Sequence, residues 1–353
     1  MKVRACFVFG CLLGCISEPF ASGMADPAVP PARSIRECAT CHPAQAKPHP
    51  ATSMAHAMEL PAECEILKSH PVLTYRVGPY SYRIERQGEA SVYSVSDGAQ
   101  TISFPIGWAF GLGSAGQTYI YEYEGELYQS RVSYYRALEG LDLTLGAQNA
   151  KPTNLVQAAG QLMSADDKVQ CFRCHATDAV DHKKLTLSTL IPGVQCERCH
   201  GSAENHVKSV KVGDAKGARM NDLRAMSSEQ TANFCGQCHR TWDEIAGSGL
   251  TGVANVRFQP YRLISSKCYD ADDKRIRCTS CHDPHGEVSR VDASYDAKCQ
   301  ACHAGGKAGA GACKVADEGC VTCHMPKVEL PGSHFKFTDH YIRVARAHAR
   351  YPG

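Results

Sequence analysis

Apolar and polar residues alternate along the chain between residues 72 and 134, where β-branched and aromatic side chains recur. Six runs show this pattern, at residues 72–77, 80–86, 91–96, 101–106, 119–124 and 127–134. Glycine-containing turn signals separate most of them, and ten of the 15 tyrosines lie between residues 75 and 135. Alternation of period two bounded by turns predicts antiparallel strands. We therefore predict an all-β module over residues 64–146 with its own small core.

The remainder of the chain lacks such alternation and predicts short helices and loops. Residues 304–312 consist almost entirely of glycine and alanine and predict a loop, whereas residues 339–351 predict a final helix with arginines facing solvent. The secondary structure that follows is a mostly α-helical and irregular core with few strands, plus the inserted all-β module. The predicted segments are 24–63, the insert at 64–146, and a core at 147–353 with the C-terminal helix.

The amino-acid composition shows that this polypeptide has few large side chains for a core of its size. Aromatic residues make up 8% of its 353 residues, and mean hydropathy is low. Its formal net charge of +2 gives no reason to expect a nucleic-acid partner. The chain instead has 20 cysteines and 16 histidines. Joint enrichment of these two residues points away from a pure disulfide scaffold and towards a metal or heme.

The pattern Cys-x-x-Cys-His occurs seven times, which is the attachment signature of c-type heme. The paired cysteines are Cys38 and Cys41, Cys171 and Cys174, Cys196 and Cys199, Cys235 and Cys238, Cys278 and Cys281, Cys299 and Cys302, and Cys320 and Cys323. The histidines that follow them are His42, His175, His200, His239, His282, His303 and His324. Two thiols at this spacing share a helical turn and can form thioethers with one porphyrin, and the next residue then brings an imidazole to the iron. We predict seven covalent heme c groups with these proximal iron ligands, the first in segment 24–63 and six in the core at 147–353. The predicted fold class is therefore a mostly α-helical and irregular multiheme cytochrome c core with few strands, plus the inserted all-β module.

Zinc is the alternative for paired cysteines, because CxxC pairs also build zinc ribbons. All seven pairs here are followed by histidine, which zinc ribbons do not require, and an odd number of pairs cannot all enter four-cysteine sites. A thioredoxin-like redox role fails for the same reasons. Three cysteines outside the motifs and the N-terminal segment remain, Cys64, Cys268 and Cys313. A disulfide between the last two and free thiols are equally compatible with the sequence.

Nine histidines remain after the seven motif histidines, enough to give every iron a second imidazole. His285 lies only three residues after His282, and the chain cannot circle the macrocycle in so short a span. We therefore expect His285 to serve a neighbouring heme, and the same argument applies less strictly to His206 and His182. The candidate distal ligands are His56, His206, His285, His334 and His340, followed by His49 and His182. His70 and His348 are expected to be bystanders.

The N-terminal residues predict export. Lys2 and Arg4 precede an apolar run that is too short to span a bilayer, and small residues follow it, so residues 1–23 resemble a signal peptide. The alternative is a lipoprotein signal, because Leu12-Leu13-Gly14-Cys15 resembles a lipobox. Cleavage before Cys15 would attach the protein to a membrane through a lipid. The expected location is the periplasm, or the outer membrane or cell surface as a lipoprotein.

Three segments resemble recurrent pieces of the cytochrome c554-type multiheme family. They are GVQCERCHG at residues 193–201 with His206, CTSCHDPHG at 278–286, and CHMPK at 323–327 with Thr338-Asp339-His340. The resemblance covers roughly residues 35–60 and 150–345. It implies hemes stacked in pairs, most of them with two histidine ligands.

Electron transfer without substrate chemistry is the function that we expect. Iron held by two imidazoles has no open position and can only exchange electrons with other redox proteins. The alternative is a multiheme oxidoreductase of a small nitrogen or sulfur compound, which requires one five-coordinate heme. No CxxCK motif, frequent in nitrite reductases, occurs in the sequence. An oligomer or cell-surface assembly is compatible with the β module and would still carry electrons.

Overall fold

The computed structural model describes residues 35–304, 313–346 and 351. The predicted export signal with Cys15, most of the glycine- and alanine-rich segment, and His348 lie outside these residues. Among the described residues, no helix has both the length and the apolar character that crossing a bilayer requires.

The dominant element is an antiparallel sheet of nine strands. Seven follow one another in chain order as neighbours, and a short strand joins it at each of two places, beside β5 and beside β7. The strands are β1 (Met58–Glu59), β2 (Val72–Val77), β3 (Tyr80–Gln87), β4 (Ala90–Ser96), β5 (Thr101–Phe110), β6 (Gln117–Tyr123), β7 (Glu126–Tyr135), β8 (Gly140–Leu143) and β9 (Gly160–Leu162). The six predicted strands are confirmed, whereas β1, β8 and β9 were not predicted.

Alternation along the strands creates the core of this sheet. In β3, Tyr80, Tyr82 and Ile84 are buried while the intervening Ser81 and Arg83 are exposed. Tyr82 lies opposite Val95 of β4, so aromatic and β-branched side chains pack across the strands. Between β6 and β7, Glu124 and Gly125 both have positive φ angles, as a tight two-residue hairpin requires. One face of the sheet thus encloses a core built largely from tyrosine.

The helices are short and mostly follow the sheet in sequence. They are α1 (Ile35–Ala39), α2 (Pro43–Ala46), α3 (Glu65–Ser69), α4 (Leu155–Ala159), α5 (Ala165–His175), α6 (Cys196–His200), α7 (Glu204–Lys211), α8 (Ser228–His239), α9 (Trp242–Ser248), α10 (Gln259–Ile264), α11 (Cys278–Cys281), α12 (Asp296–His303) and α13 (Cys320–His324). Three small ladders lie among them, pairing β10 (Ala176–Thr177) with β13 (Ile191–Pro192), β11 (Val180–Asp181) with β12 (Lys184–Leu185), and β14 (Lys327–Glu329) with β15 (Lys336–Thr338). Short 3₁₀ turns occupy His49–Ala51, Leu187–Thr189, Leu223–Ala225, Gly252–Asn255 and Asp292–Tyr295.

The predicted fold class is wrong. The described residues are 33% helical and 23% strand, and their largest element is the nine-stranded sheet rather than a mostly helical multiheme core. The physical reason is that the sheet reaches beyond the predicted insert. Segments on both sides, at β1 and β9, pair with it and satisfy their backbone groups there.

The predicted final helix is also absent from residues 339–346, the described part of that segment. Asp339 is buried against Arg262, and its backbone N–H donates to the carbonyl of Pro326. These tertiary contacts hold the segment in a non-helical conformation, which overrides a weak helical pattern.

Candidate functional site

All seven CxxCH motifs lie on helical turns. The motifs beginning at Cys171 and Cys235 end the capped helices α5 and α8, and those beginning at Cys196 and Cys320 form α6 and α13. In the first motif the His42 N–H donates to the carbonyl of Cys38 at 2.8 Å, so the turn continues past α1. The prediction that the two thiols share a helical turn is confirmed. Each motif presents its thiols and its imidazole within one short segment.

Local sequence explains why these short helices form. Ser164 with Asp167 and Ser227 with Gln230 make capping boxes that start α5 and α8. The carboxylate of Asp296, at the start of α12, accepts hydrogen bonds from the backbone N–H groups of Gly319 and Cys320. That carboxylate therefore caps α13 and ties the last two motifs together.

Three pairs of histidine rings face each other, and each pair joins a motif histidine to a predicted distal one. The ring centres of His42 and His206 lie 6.2 Å apart, and those of His282 and His340 also lie 6.2 Å apart. The rings of His200 and His285 are nearly parallel, at 5°, with centres 6.1 Å apart. His206 and His285 each lie beside a motif other than the one they follow in sequence.

The separation of these rings suits a metal between them. A bond between imidazole nitrogen and a metal is roughly 2 Å long, so two imidazoles on opposite sides of one metal have centres about 6 Å apart. Rings in direct contact would be closer. The three observed pairs match the wider spacing, so these residues fit an iron with two histidine ligands.

The hydrogen bonds of several histidines also suit ligation. Nδ1–H donates to a backbone carbonyl in His206, His340, His175 and His324, the acceptors being Ala218, Thr338, Ala57 and Arg343. Such a bond fixes the tautomer and leaves Nε2 as the basic nitrogen, an arrangement found at metal-bound histidines.

The protonation state of these histidines also suits metal ligation. Burial, together with the neighbouring His282, lowers the pKa of His340 to about 4. Burial likewise lowers the pKa of His200, with His285 adding to the effect, and it lowers the pKa values of His175 and His282. These imidazoles are neutral near pH 7, and a metal ligates neutral imidazole.

The other predicted distal histidines have different surroundings. His56 has two acceptors, Glu59 Oε1 at 2.8 Å from Nδ1 and the carbonyl of Pro50 at 2.7 Å from Nε2. The side chain of His182 is 92% exposed and pairs with Asp181. His334 directs Nε2 to Asp142 of β8 at 2.8 Å and packs against Tyr135. His49 is buried beside His285, and burial lowers its pKa.

Thiols from different motifs lie next to each other and link all seven motifs in space. The thiols of Cys38 and Cys196, of Cys174 and Cys238, of Cys235 and Cys278, and of Cys299 and Cys320 are close enough to influence each other's ionisation. Electrostatic contacts add Cys199 to Cys235 and Cys281 to Cys299. The motifs thus form one connected series rather than separate centres.

The three described cysteines outside the motifs are free thiols. Cys64 is buried in the sheet core and donates to Gln117, whereas Cys268 and Cys313 are exposed and not bonded to each other. A structural zinc site needs three or four convergent donors. Within the described part of the chain, no three cysteine, histidine or acidic side chains converge in that way.

The sheet contacts the second motif directly. Phe172 of α5 packs edge-on against Trp108 and Phe110 of β5, with ring centres 5.3 and 5.1 Å apart. Phe110 also packs against His175. The sheet therefore supplies the apolar surroundings of one motif histidine.

Two contacts important for the histidine pairs were not predicted from sequence. Arg262 forms a buried ion pair with Asp339, the residue before His340. Glu287, two residues after His285, accepts hydrogen bonds from the backbone N–H and the hydroxyl of Ser53 at 2.6 and 2.7 Å. Nothing in the local sequence marks Arg262 or Ser53 as partners so distant along the chain.

Comparison with known protein families gives one match to a family model. The model described as cytochrome c554 and c-prime matches residues 134–201. That stretch contains the second and third motifs. The match supports a c-type cytochrome family. Such a family implies covalently attached heme c with its iron, and it suggests a role in electron transfer. No curated protein and no solved structure matches the chain.

Proposed function

We propose that this protein is an exported electron carrier that holds seven heme c groups, most of them ligated by two histidines. The observation that supports this best is the set of three imidazole pairs at 6.1–6.2 Å, each joining a motif histidine to another histidine. Thioether bonds to the fourteen motif cysteines would hold the hemes. When bound, heme supplies reversible one-electron exchange at its iron.

Crossed pairing organises the proposed sites. His206 follows the third motif but faces His42 of the first, and His285 follows the fifth motif but faces His200 of the third. His340, from the C-terminal segment, faces His282 of the fifth. Each distal histidine therefore ties one motif to a segment that follows another. This arrangement keeps neighbouring sites close, as electron exchange between them requires.

The chain's own residues favour transfer over substrate chemistry at these three sites. The second imidazole of each pair would hold the position that a substrate needs. His340 is partly buried, and the hydrogen bond from its Nδ1 to the carbonyl of Thr338 holds its ring in place. The alternative, an oxidoreductase of a small nitrogen or sulfur compound, requires a site without that second imidazole.

Spectroscopy of the mature protein tests the proposal. We expect low-spin, six-coordinate heme in the oxidised protein and little carbon monoxide binding after reduction. His285→Ala should create one carbon monoxide-binding heme, whereas His182→Ala, the matched control at an exposed histidine, should create none. A large high-spin fraction in the unaltered protein would favour the oxidoreductase.

A double variant identifies which heme His285 serves. As a single substitution, His200→Met should alter the spectrum of one heme. If His200 and His285 ligate one iron, the variant carrying both His200→Met and His285→Ala will have one altered heme. Two altered hemes would show that His285 serves a different iron, and the crossed pairing would be wrong.

Export and attachment belong to the same proposal and rest on sequence alone. We infer location in the periplasm, or at the outer membrane or cell surface through a lipid on Cys15, with other redox proteins as donor and acceptor. The mass of the N-terminal peptide of the mature protein distinguishes signal cleavage near residue 23 from lipidation at Cys15. A retained, unmodified N-terminus would contradict both.

A further inference from the structure

A buried ion pair lies directly beside His340. Arg262 of α10 donates from Nε and Nη2 to the two carboxylate oxygens of Asp339, at 2.9 and 3.0 Å. The two side chains are only 3% and 0% exposed. Arg343 donates a further bond to the same carboxylate at 2.8 Å. Since Asp339 immediately precedes His340, this ion pair determines where the backbone of His340 lies.

Backbone contacts hold the same segment from its other side. The hydroxyl of Ser266, just after α10, donates to the carbonyl of His340 at 3.1 Å and accepts from the N–H of Ile342 at 2.8 Å. The N–H of Asp339 donates to the carbonyl of Pro326. The rings of Tyr341 and Tyr351 lie against the Arg262 guanidinium, with ring centres 5.1 and 5.0 Å from Cζ. These contacts attach the segment to α10 and to the segment after α13.

Such a buried pair needs a reason beyond stability. Removing two charges from water costs free energy that their attraction often only just offsets, and apolar residues can replace such pairs without loss of stability. A bidentate guanidinium–carboxylate pair does, however, fix orientation more firmly than apolar packing. The ion pair lies next to His340, one of the three paired histidines, so His340 is the residue whose orientation it can fix.

We propose that Arg262 is a positioning residue that acts through Asp339 to hold the His340 ring opposite that of His282. This inference rests on the proposed function, in which both histidines ligate one iron. Arg262 does not contact the metal position. It restricts the segment that carries His340, so that the imidazole would stay in place opposite His282.

The test replaces Arg262 and follows ligation rather than activity. In Arg262→Gln, we expect one heme, and only one, to become high-spin and to bind carbon monoxide after reduction, with the heme content unchanged. Arg262→Lys should restore most of the low-spin signal but not all, because an ammonium cannot make the bidentate contact. Arg275→Gln is the matched control, because Arg275 pairs with Asp273 in the same manner but is largely exposed. It should leave the spectrum unchanged.

Arg262→Gln leaves a buried carboxylate without its main partner and could prevent folding. The double variant Arg262→Met with Asp339→Leu removes both charges and keeps the apolar volume. We expect it to fold and to gain the same carbon monoxide-binding heme. A folded double variant with all hemes low-spin would overturn the inference.

His340→Ala separates failure of this inference from failure of the proposed function. If His340→Ala creates no new carbon monoxide-binding heme, the pairing of His340 with His282 at one iron is wrong. If His340→Ala does create one but Arg262→Gln merely lowers the thermal midpoint without changing the spin state, then Arg262 is a stabilising residue only. In that case the proposed ligation stands and the positioning role does not.

Discussion

The sheet and the motif-bearing helices differ in how many large side chains they bury. Of the twelve largest side chains that are almost fully buried in the described residues, only Phe172 lies beyond residue 145. The sheet has a tyrosine-rich core of its own. The region from α6 to α13 has short helices, exposed turns and few large buried side chains. Side-chain packing therefore accounts for the fold of the sheet, and we infer that the motif region depends on the groups bound by its motifs.

The largest expected effect comes from withholding heme. In chain produced without heme attachment, we expect backbone amides of β3 to β7 to remain protected from hydrogen exchange, because their core is made of side chains. Amides of α6 and α11 to α13 should exchange as in an unfolded chain, since covalent attachment supplies their interior. Hydrogen exchange measured by mass spectrometry, with the mature protein as control, compares the two regions directly. Protection of α11 to α13 without heme would remove the distinction.

The next effect concerns the sheet core. Tyr93 is fully buried and donates from its hydroxyl to the carbonyl of Ala159 at 2.7 Å. Tyr93→Ala should reduce the free energy of unfolding of the sheet by about 3–5 kcal/mol, the range found for large aromatic residues. Tyr93→Phe should cost about 1–3 kcal/mol, because the carbonyl loses its donor in a buried site. Denaturant unfolding measures both.

Tyr119 provides the control. Its ring is fully buried, and its hydroxyl has no hydrogen-bond partner among the described residues. Tyr119→Phe should therefore not reduce the free energy of unfolding, because it removes a buried hydroxyl that makes no hydrogen bond. All three tyrosine variants should leave the heme spectrum unchanged. A change in spin state after Tyr93→Ala would show that the two regions are more tightly coupled than proposed.

His334 distinguishes a contact with the sheet from a heme ligand. Its Nε2 is 2.8 Å from Asp142 of β8, so we expect His334→Ala to lower the thermal midpoint modestly and to leave every heme low-spin. His340→Ala is the contrasting variant, with one heme opened. A new carbon monoxide-binding heme in His334→Ala would return His334 to the set of distal ligands predicted from sequence.

The smallest effect is a pH dependence at the same contact. Burial raises the pKa of Asp142, but hydrogen bonds from Tyr75, the backbone of Leu143 and His334 outweigh it and lower the pKa overall. A carboxyl group whose pKa is lower in the folded than in the unfolded protein stabilises the fold at pH values above its unfolded-state pKa of about 3.9. This contribution is lost as the pH falls through the folded-state pKa. Thermal midpoints at pH 6 and pH 3 should differ less in Asp142→Asn than in the unaltered protein. An equal difference would show that Asp142 contributes nothing.

Local pattern was enough to predict the strands and the attachment motifs. Alternation in β3 and the Glu124-Gly125 turn are visible in sequence, and so is each CxxCH. What could not be predicted depends on long-range contacts. The fold class failed because β1 and β9 are two- and three-residue strands that form only by pairing with the sheet. The prediction of a C-terminal helix was wrong because Arg262, 77 residues from Asp339, binds the carboxylate of Asp339 and holds that segment in another conformation.

For the histidines, too, local sequence predicted some contacts, whereas others depend on long-range packing. Sequence reasoning placed His285 beyond reach of its own motif because the chain between them is too short, and the structure brings it opposite His200. It ranked His56 and His334 equally high, since spacing alone cannot show that Glu59 and Asp142 lie next to them. Partners for a side chain are determined by the tertiary fold, which single-sequence patterns do not contain.

Intact mass of the mature native protein is the most direct measurement. If porphyrins bound through thioethers form the interior of the motif region, the mass will equal the processed polypeptide plus seven hemes, and it will persist under denaturing conditions. A mass equal to bare polypeptide, or to polypeptide with zinc, would contradict both the proposed function and the contrast between the two regions.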